Sequence, residues 1–390
     1  MIEFMAPSNN TIWVSAGEVS GDVHGAWLLH ALRERDPSLR FIGMGGRRMM
    51  LEKGFTPLFY IDELSLLGIT EVIRFLPKIF NLLSRTKEAL AEHRPRALVV
   101  IDAPSFHFRV IKAAKRLGIP VYYYISPKVW AWKEWRALFI KKNVRRLISI
   151  LPFEEAFYKR FGMKIDYVGN PLVDMVDWER IRHISPESGK IGLLPGSRKK
   201  EISSLTPEFG KAARILLRKL PHLTFHMVRA PGIEEAALRA FWPTDVPLNI
   251  LPPDDRYAFM RSCEMIIAAS GTVTLEAALC ETPTLVTYKT SAISYALAKL
   301  LVTIPHISLA NLILNKPLLP ELLQQACDGP PLAEKALEWL LPPKRKYPLK
   351  AIRRSLSTLR ARLGEPGAVN RAAGIILDDL AKLPVDHKPF

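Results

Sequence analysis

The sequence predicts an α/β protein of two doubly wound domains, each a parallel sheet covered by helices on both faces. Short apolar runs alternate with helical patterns in both halves of the chain, which is typical of such sheets. The 390 residues exceed one ordinary domain, and a hydrophobic content of 48% suffices for two cores. A polar segment at 177–190, which contains Pro186 and Gly189, is the predicted linker.

The predicted strands are short and strongly apolar. They cover residues 13–14, 41–42, 98–101, 121–125, 147–151 and 167–168 in the first half, and 191–194, 223–228, 248–251, 265–268 and 285–288 in the second. Helical patterns lie between them, for example at 21–35 and 106–117. Because ligands of such sheets bind at the carboxyl ends of the strands, a site in a cleft between the domains is expected.

Three parts of the chain are expected to behave as separate blocks. The first domain is predicted at 1–180 and the second at 185–365. A C-terminal helix within 366–390 is expected to pack back on the first domain or on a partner subunit, so a homodimer stays an open alternative.

The chain is strongly basic, with a formal net charge of +17. The basic residues concentrate at 133–146, with six cations and one acid, and at 344–362, with eight cations and no acid. This balance indicates an anionic partner: nucleic acid, an anionic membrane face or acidic substrates. About half of these residues are also expected to form ordinary solvated helix faces.

Other features narrow the class of protein. The cysteines Cys263, Cys280 and Cys327 are scattered, which favours a reducing compartment and argues against a zinc site. The N-terminus lacks the pattern of a secretory signal, and no apolar run is long enough to span a membrane. The nearest such run, at 293–314, is interrupted by polar residues and is predicted to be buried or interfacial.

Two segments leave alternatives open. Residues 64–83 are rich in large apolar side chains and predict either a core helix kinked at Pro77 or a helix that dips into a membrane surface. Residues 122–135 combine Tyr and Trp with the first basic cluster. Such a mixture can bind nucleic acid, lie at a membrane interface or line a core.

The loop Ser15-Ala-Gly-Glu-Val-Ser-Gly-Asp-Val-His-Gly25 joins a predicted strand to a predicted helix, as a phosphate-binding loop does. Its glycines are spaced four apart, however, and do not match Gly-x-Gly-x-x-Gly. Glu18 and Asp22 would also repel a phosphate at close range. The loop therefore indicates a ligand other than a phosphate.

Two loops in the second half suit a nucleotide better. Leu193-Leu-Pro-Gly-Ser-Arg-Lys-Lys-Glu201 places a turn at Gly196, a helix cap at Ser197 and a guanidinium at Arg198, which suits a diphosphate. Ala269-Ser-Gly-Thr-Val-Thr-Leu-Glu276 is the second corner of this kind. Its glycine permits close approach to phosphate oxygens, and Glu276 could accept hydrogen bonds from ribose hydroxyls. A solvated turn and an ordinary capped helix are the alternatives.

Asp102 follows a predicted strand in Val99-Val-Ile-Asp-Ala-Pro-Ser-Phe106. An acid at the carboxyl end of a strand could deprotonate a hydroxyl nucleophile. The alternative is an aspartate that caps the following helix.

Taken in order, these motifs resemble the lipid-A-disaccharide synthase family, bacterial glycosyltransferases of the GT-B architecture with two Rossmann-like domains. The resemblance runs from about residue 14 to about residue 373. The motifs that carry it are Ser15-Ala-Gly-Glu-Val-Ser-Gly-Asp22, Gly43-Met-Gly-Gly46, Ile101-Asp-Ala-Pro104, Ser126-Pro-Lys-Val-Trp-Ala-Trp132, Val168-Gly-Asn-Pro-Leu172, Leu194-Pro-Gly-Ser-Arg198, Ala269-Ser-Gly-Thr272 with Leu275-Glu276, and Pro320-Glu-Leu-Leu-Gln324.

The resemblance implies an inverting reaction that needs no cofactor. No metal site is predicted, because His24, His107 and His306 lack metal-ligand spacing with acids. UDP-2,3-diacylglucosamine would donate its sugar to 2,3-diacylglucosamine 1-phosphate, giving a β-1,6-linked disaccharide 1-phosphate and UDP. The implied partners are these two lipids and the anionic inner-membrane surface, on which the protein would be a peripheral cytoplasmic enzyme that binds no nucleic acid.

The resemblance also implies roles for particular residues. Asp102, or else Asp22, would be the base, and Arg198 would stabilise the departing diphosphate. The acceptor would contact Gly17, Glu18, Ser20, Gly21 and Asp22. The donor would contact Gly196, Ser197, Arg198, Ser270, Gly271, Thr272, Glu276 and Asn311.

The chain departs from the family pattern at a few positions. Asn170 stands where the family usually has His, and Ser105-Phe106-His107 stands where it usually has Asp-Phe-Asn. Other GT-B enzymes that use UDP-sugars, including a glycosyltransferase acting on the peptidoglycan lipid and UDP-GlcNAc 2-epimerase, are alternatives. A nucleic-acid-binding protein is a further alternative, but no helix-turn-helix or RNA-binding signature is present.

Overall fold

Two parallel sheets account for the strands of the computed structural model, which describes residues 10–65, 72–341 and 348–383. Contacts divide the chain into two compact units: unit 1 is Met1–Pro171 with Glu365–Phe390, and unit 2 is Leu172–Gly364. The first boundary therefore precedes the polar segment at 177–190 that was predicted as the linker. That segment belongs to unit 2, where the Glu187 N–H donates to the Ser262 carbonyl at 2.8 Å.

Unit 1 contains a sheet of seven strands in the order β3-β2-β1-β4-β5-β6-β7, and all neighbouring pairs are parallel. The strands are β1 Thr11–Ala16, β2 Arg40–Gly45, β3 Phe55–Tyr60, β4 Ala97–Ile101, β5 Val121–Tyr124, β6 Arg146–Ser149 and β7 Asp166–Tyr167. The helices of its N-terminal part are α1 Val19–Arg35, α2 Arg47–Met50, α3 Asp62–Ser65, α4 Val72–His93, α5 Pro104–Arg116, α6 Arg136–Asn143 and α7 Glu154–Lys159, with a 3-10 turn at Val129–Ala131.

Unit 2 contains a sheet of six parallel strands in the order β10-β9-β8-β11-β12-β13. The strands are β8 Lys190–Leu194, β9 Thr224–Val228, β10 Asn249–Leu251, β11 Met265–Ala269, β12 Thr284–Tyr288 and β13 Glu321–Leu323. The helices are α8 Leu172–Met175, α9 Trp178–Ile181, α10 Lys199–Lys219, α11 Glu235–Arg239, α12 Arg256–Ser262, α13 Thr272–Leu279, α14 Ala292–Leu301, α15 Leu309–Leu314, α16 Gly329–Leu340, α17 Pro348–Leu356 and α18 Leu359–Arg362, with a 3-10 turn at Gln324–Cys327.

The prediction of two doubly wound parallel sheets is confirmed. Central strands such as β4 are apolar and completely buried, because helices cover both faces. Among the described strands, the sequence analysis missed β3 and β13, each of which forms one edge of its sheet. Pro57 interrupts the apolar pattern of β3, and proline is tolerated in a sheet mainly at such an edge. The three residues of β13 are too few for a periodic signal.

Each sheet has one point where the strand order reverses. In unit 1 this point lies between β1 and β4, where Ala16 pairs with Ile101. In unit 2 it lies between β8 and β11, where Leu194 pairs with Ala268. Ligands of doubly wound sheets bind at the carboxyl ends of these strand pairs, so the fold marks one candidate position in each unit.

The last helix, α19 Ala368–Leu380, packs on α1 of unit 1. Its Asp379 accepts hydrogen bonds from the Tyr122 hydroxyl at 2.7 Å and from Arg145 Nη2 at 3.2 Å. Burial raises the pKa of this carboxyl, but the bonds from Arg145 and Tyr122 outweigh burial and lower it overall. The end of the chain is thereby tied to β5 and to the start of β6.

Several arginines of the second basic cluster have structural roles. Arg353 donates to the carbonyls of Cys263, Glu264 and Glu281, and burial lowers its pKa to about 10. Arg360 donates to the Val173 and Val176 carbonyls. These cations serve the packing of unit 2 and contribute less to an anion-attracting surface than the sequence suggested. Residues 344–347 of the cluster lie outside the described residues.

The apolar run at 293–314 does not behave as one segment. Its first part forms α14, none of whose residues is buried, and its second part forms α15, which is largely buried. Within the described ranges, no helix is both long and apolar enough to cross a membrane. The predicted apolar helix at 64–83 falls partly outside the described residues, so its membrane-facing alternative stays a prediction.

Candidate functional site

Asp102 lies at the reversal point of unit 1, immediately after β4. Asp102 and Ala103 both adopt left-handed backbone conformations, with φ of 54° and 40°. The Asp102 carbonyl accepts a hydrogen bond from the Tyr123 hydroxyl at 2.7 Å and another from His107 Nδ1 at 2.8 Å. Left-handed residues other than glycine cost about 1–3 kcal/mol each, so these two bonds help to hold a strained turn in place.

The Asp102 carboxylate is buried and only half satisfied. Its Oδ1 accepts the Gly17 N–H at 2.8 Å, whereas its buried Oδ2 has no hydrogen-bond partner among the described residues. Burial, followed by the nearby charge of Glu18, raises the pKa of this carboxyl well above its ordinary value, against the opposing effect of the Gly17 N–H. A carboxylate that has a raised pKa and one oxygen without a hydrogen-bond partner is suited to accept a proton from a hydroxyl.

The glycines of the opening loop make room for this carboxylate. A Cβ atom at Gly21 would lie 1.8 Å from Asp102 Oδ2, and one at Gly17 would lie 2.1 Å from the Ala103 Cβ. The sequence analysis placed the acceptor against Gly17 and Gly21, but in this structure Asp102 and Ala103 occupy the space beside these glycines. The spacing of four residues fits because Gly17 precedes α1 and Gly21 lies in its first turn.

His107 is completely buried below the turn. Its Nε2 lies 2.9 Å from the Ser15 hydroxyl, and burial lowers the pKa of the ring to about 4. The ring is therefore neutral near pH 7. Because Nδ1 faces the Asp102 carbonyl, Nδ1 carries the proton and Nε2 accepts from Ser15. The sequence analysis noted His107 as a departure from the family pattern and did not predict its bond to the Asp102 carbonyl; the available signal was its position five residues after Asp102.

The second acid of the loop, Asp22, has different surroundings. It is 3% exposed, and its carboxylate accepts the backbone N–H groups of Gly46, Arg48 and Met49 at 2.7, 2.9 and 3.1 Å. It therefore caps α2 and joins two of the motifs that carry the family resemblance. These bonds leave Asp22 less able than Asp102 to act as a base. Glu18 and Ser20 are exposed at the start of α1.

In unit 2, the loop after β8 is held by Glu201, to which the sequence analysis gave no role. Glu201 Oε2 accepts the N–H groups of Ser197 and Arg198 at 3.2 and 3.3 Å, and its Oε1 lies 3.1 Å from Arg198 Nη1. Gly196 has φ of 111°, and a Cβ there would lie 2.3 Å from Glu201. Glu201, rather than the Ser197 side chain, therefore caps α10. The Arg198 side chain is 71% exposed.

The second corner of unit 2, after β11, is open. Ser270 extends the pairing of β11 with β12, since its N–H donates to the Thr287 carbonyl at 2.7 Å. A Cβ at Gly271 would meet no atom within 4 Å, and both Gly271 and Thr272 are exposed. The first N–H groups of α13 have no partner within the helix, so this corner presents amide donors to an anion.

Glu276 lies one turn further along α13 and is 8% exposed. Arg256 Nε donates to its Oε2 at 2.9 Å, and Arg256 Nη2 donates to the Tyr257 hydroxyl at 2.7 Å. Burial raises the pKa of Glu276, and the charge of Arg256 opposes that shift. The sequence did not reveal Arg256, because it lies 20 residues before its partner.

Asn311 is buried in α15 and fully engaged. Its amide donates to the Leu319 carbonyl at 2.8 Å and to Glu321 Oε1 at 2.9 Å, and its Oδ1 accepts the Leu319 N–H. Glu321 also accepts the N–H groups of Ile307 and Ser308, each at 2.9 Å. Asn311 thus holds the loops around β13. Its side chain is bonded to Leu319 and Glu321 and not to the corner after β11.

No group of three or more His, Cys, Asp or Glu residues arranged to hold a metal ion occurs within the described ranges. The cysteines Cys263, Cys280 and Cys327 are all free and buried.

Comparison with solved structures supports the architecture. The UDP-GlcNAc 2-epimerase from Neisseria meningitidis, in a structure bound to UDP-GlcNAc, is similar with a TM-score of 0.61 and 14% identity, over 96% of this chain and 100% of that one. A calicheamicin glycosyltransferase is similar with a TM-score of 0.61 and 14% identity, over 96% and 98%. At such identities the likeness shows the fold alone, which is GT-B.

Sequence comparison shows the family. The lipid-A-disaccharide synthase of Myxococcus xanthus is 38% identical over 375 residues, which cover 94% of this chain and 97% of the relative. That of Syntrophus aciditrophicus is 36% identical over 388 residues, which cover 96% and 99%. The family described as lipid-A-disaccharide synthetase matches residues 12–365. The resemblance seen in the motifs is confirmed, and this chain belongs to the lipid-A-disaccharide synthase family of glycosyltransferases.

Proposed function

We propose that this enzyme transfers 2,3-diacylglucosamine from UDP-2,3-diacylglucosamine to the 6-hydroxyl of 2,3-diacylglucosamine 1-phosphate. The products are UDP and the β-1,6-linked disaccharide 1-phosphate. The observation that carries the proposal is the Asp102 carboxylate, which lies at the reversal point of unit 1 with a raised pKa and with Oδ2 lacking a partner among the described residues.

In the proposed mechanism Asp102 is the general base. Its Oδ2 accepts the proton of the acceptor 6-hydroxyl while that oxygen bonds to C1 of the donor sugar and the bond from C1 to the diphosphate breaks. Attack from the face opposite the leaving group inverts the anomeric carbon. Glu18 and Ser20 are exposed at the start of α1 and would accept hydrogen bonds from other acceptor hydroxyls. Gly17, Gly21 and Asp22 would support the site by shaping it.

The donor is proposed to bind unit 2 through its UDP group. The exposed Arg198 guanidinium, the amide donors of Gly271 and Thr272 and the Ser270 hydroxyl suit a diphosphate, whose developing charge they would stabilise as UDP leaves. A diphosphate near Gly196 and Ser197 would take over the amide donors that Glu201 now occupies. Glu276, held by Arg256, would accept from the ribose. Asn311 would act indirectly, through the loops that it holds.

The enzyme is proposed to work as a peripheral protein on the cytoplasmic face of the inner membrane, where both lipids would be reached. An exposed apolar stripe on α14 supports this: Ile293 is 75% exposed and Leu300 is 80% exposed, with Leu297 and Leu301 on the same side. Burying such a stripe in a lipid surface removes apolar area from water. Trp132 and Trp135 of unit 1 are also exposed.

A product assay tests the proposal. Purified enzyme in mild detergent is incubated with UDP-2,3-diacylglucosamine, with and without 2,3-diacylglucosamine 1-phosphate, and products are identified by mass spectrometry. A disaccharide phosphate and UDP should appear only when both lipids are present. UDP-GlcNAc is included as a separate substrate, and its conversion into an epimer would favour epimerase activity instead. Absence of disaccharide from folded enzyme would refute the proposed substrates.

Loss of one side chain tests the donor site separately. Arg198→Ala should lower kcat roughly 100-fold, because a charge-assisted contact to the leaving diphosphate is removed, and thermal stability should hardly change because the side chain is exposed. Lys200→Ala, an exposed cation in the first turn of the same helix, is the matched control and should keep near-normal activity. A folded Arg198→Ala variant with a normal rate would exclude this role.

A further inference from the structure

Two cations at the start of α6 and just before it lie over aromatic rings, and a third lies on α5. Arg136 places its guanidinium 5.4 Å from the Phe108 ring centre, 5.7 Å from that of Trp132 and 5.8 Å from that of Trp135. Lys133 Nζ lies 4.0 Å from the same Trp132 ring. Arg109 follows Phe108 on α5, and its charge adds to burial in lowering the pKa of Arg136. We call these three residues the cation cluster.

The cation cluster has no compensating acid in the part of the chain that the structure describes. The side chains of Lys133 and Arg136 form no hydrogen bond or ion pair there, and Arg136 Nε is buried without an acceptor. The acid between them in sequence, Glu134, pairs instead with Arg160 at 3.0 Å. A buried N–H donor without an acceptor is costly, so an anion that accepts from Arg136 Nε would stabilise the half-buried guanidinium.

The aromatic rings hold the guanidinium without using its donors. A cation over a ring face is attracted by the ring quadrupole, which leaves the N–H groups free to bind a ligand. Phe108 is itself fixed by stacking on Phe139, with ring centres 4.6 Å apart. Arg136 is therefore positioned in advance, and its planar fork matches the oxygens of a phosphate.

The cation cluster is linked to the proposed base through two side chains. Phe108 contacts the Tyr123 ring edge-on with centres 6.4 Å apart, and the Tyr123 hydroxyl donates to the Asp102 carbonyl at 2.7 Å. Both the cluster and Asp102 follow neighbouring strands, β5 and β4, at the same edge of the sheet.

We infer that the cation cluster binds the phosphate monoester of the acceptor lipid, with Arg136 as its main ligand. This rests on the proposed function and deepens it. C1 and C5 of the pyranose both flank the ring oxygen, and C5 carries the 6-hydroxyl through C6, so a phosphate held at Arg136 restricts the positions that the 6-hydroxyl can take. A phosphomonoester dianion also supplies the two negative charges that the cluster lacks. Lys133 and Arg109 add charge at the rim, and Arg109 keeps its bond to the Ser105 carbonyl.

Binding measurements with paired ligands test the inference. The full-length enzyme in detergent is titrated calorimetrically with short-chain 2,3-diacylglucosamine 1-phosphate and with the same sugar lacking the phosphate. The wild-type chain should prefer the phosphorylated sugar at least tenfold, since a charged hydrogen bond to phosphate is involved. Arg136→Ala should remove most of this preference, Arg136→Lys should keep part of it, and Lys142→Ala, on the last turn of the same helix, should keep all of it.

Enzyme kinetics and vesicle binding separate the possible results. Arg136→Ala should raise the KM of the acceptor at least tenfold and leave the KM of the donor unchanged. Sedimentation with phosphatidylglycerol vesicles should be unaffected; loss of vesicle binding with an intact phosphate preference would assign the cluster to lipid headgroups and overturn the inference. If Arg136→Ala fails to fold, Lys133→Gln is tested in its place. Its preference for the phosphorylated sugar over the unphosphorylated one should be weaker than that of the wild-type chain, and an unchanged preference would refute the site.

The inference and the proposed function can fail independently. A wild-type enzyme that forms no disaccharide but binds the phosphorylated sugar through Arg136 would keep the phosphate site and refute the reaction. An enzyme that forms the disaccharide and whose Arg136→Ala variant keeps its phosphate preference would keep the reaction and refute the site.

Discussion

Replacing the proposed base by its amide should separate catalysis from stability. Asp102→Asn preserves the shape of the side chain, and its Oδ1 can still accept the Gly17 N–H. The amide nitrogen takes the position of Oδ2, which has no partner among the described residues. The variant therefore loses the proton acceptor while the strained turn and its bonds from Tyr123 and His107 remain.

The stability of the variant should depend on pH in a defined direction. The folded pKa of Asp102 is raised above the ordinary value of 3.8, so folding favours the protonated carboxyl. The free energy of unfolding of the wild-type chain therefore falls as pH rises from about 4 toward the folded pKa, and this contribution is constant above it. The amide variant has no such loss, so its advantage should be absent near pH 4 and largest above the folded pKa.

The size of the advantage measures the pKa itself. Raising the folded pKa by 1 above the unfolded value corresponds to a loss of about 1.4 kcal/mol of stability. For a domain of the size of unit 1, a change of 1 kcal/mol in the free energy of unfolding shifts the Tm by about 2–4 °C. Thermal melts of both proteins from pH 4 to pH 8 therefore yield the folded pKa of Asp102, since the contributions of other groups cancel in the difference.

Asp102→Asn should lower turnover although it raises stability. Removing a general base lowers the rate about 10²–10⁴-fold, so kcat of Asp102→Asn should fall by that factor while the KM of the donor stays the same. In the wild-type enzyme the acidic limb of the kcat profile should share its midpoint with the stability difference. Glu18→Gln should move both midpoints to lower pH. A variant that is inactive but gains no stability at pH 8, or one that is stable and active, would refute the assignment.

Three further changes follow from single contacts. Gly21→Ala should lower kcat at least tenfold, because its Cβ would lie 1.8 Å from Asp102 Oδ2, whereas Gly25→Ala on the same helix meets only the flexible Met49 side chain and should retain kcat in the same assay. Asp379→Ala should destabilise unit 1 by about 1–3 kcal/mol in urea unfolding, while the exposed Asp378→Ala should have little effect. Burial raises the pKa of Glu154 from 4.5 to about 7, so Glu154→Gln should gain stability relative to wild type between those pH values and show a constant difference outside them in thermal melts.

The sequence predicted the sheets more completely than the sites. Strands such as β4 and β11 are continuous apolar runs, and their pattern is a local property that a single sequence displays. The position of Asp102 was also predictable, because it follows such a run. Its partners were not, since Gly17 lies 85 residues away and Tyr123 lies 21 residues away. Contacts of that kind depend on which strands become neighbours.

Charge was the least reliable sequence signal. The second basic cluster looked like a surface for anions, yet Arg353 and Arg360 donate to backbone carbonyls inside unit 2. In the first cluster, Arg145 binds Asp379 and Arg146 binds Asp166. A count of cations cannot separate those that cap carbonyls or pair with acids from those that lack partners, because the difference lies in tertiary contacts.

The acids in the opening glycine loop have a common physical explanation. Asp22 caps the helix that follows β2, and Glu18 raises the pKa of Asp102 by its charge. A phosphate at this loop would compete with Asp22 for the same amide donors, and the charge of Glu18 would repel it. The motif that resembles a phosphate loop thus supports the carboxylate that we propose as the base. Its glycines leave space for Asp102, and the charge of Glu18 helps to raise the pKa of that carboxyl.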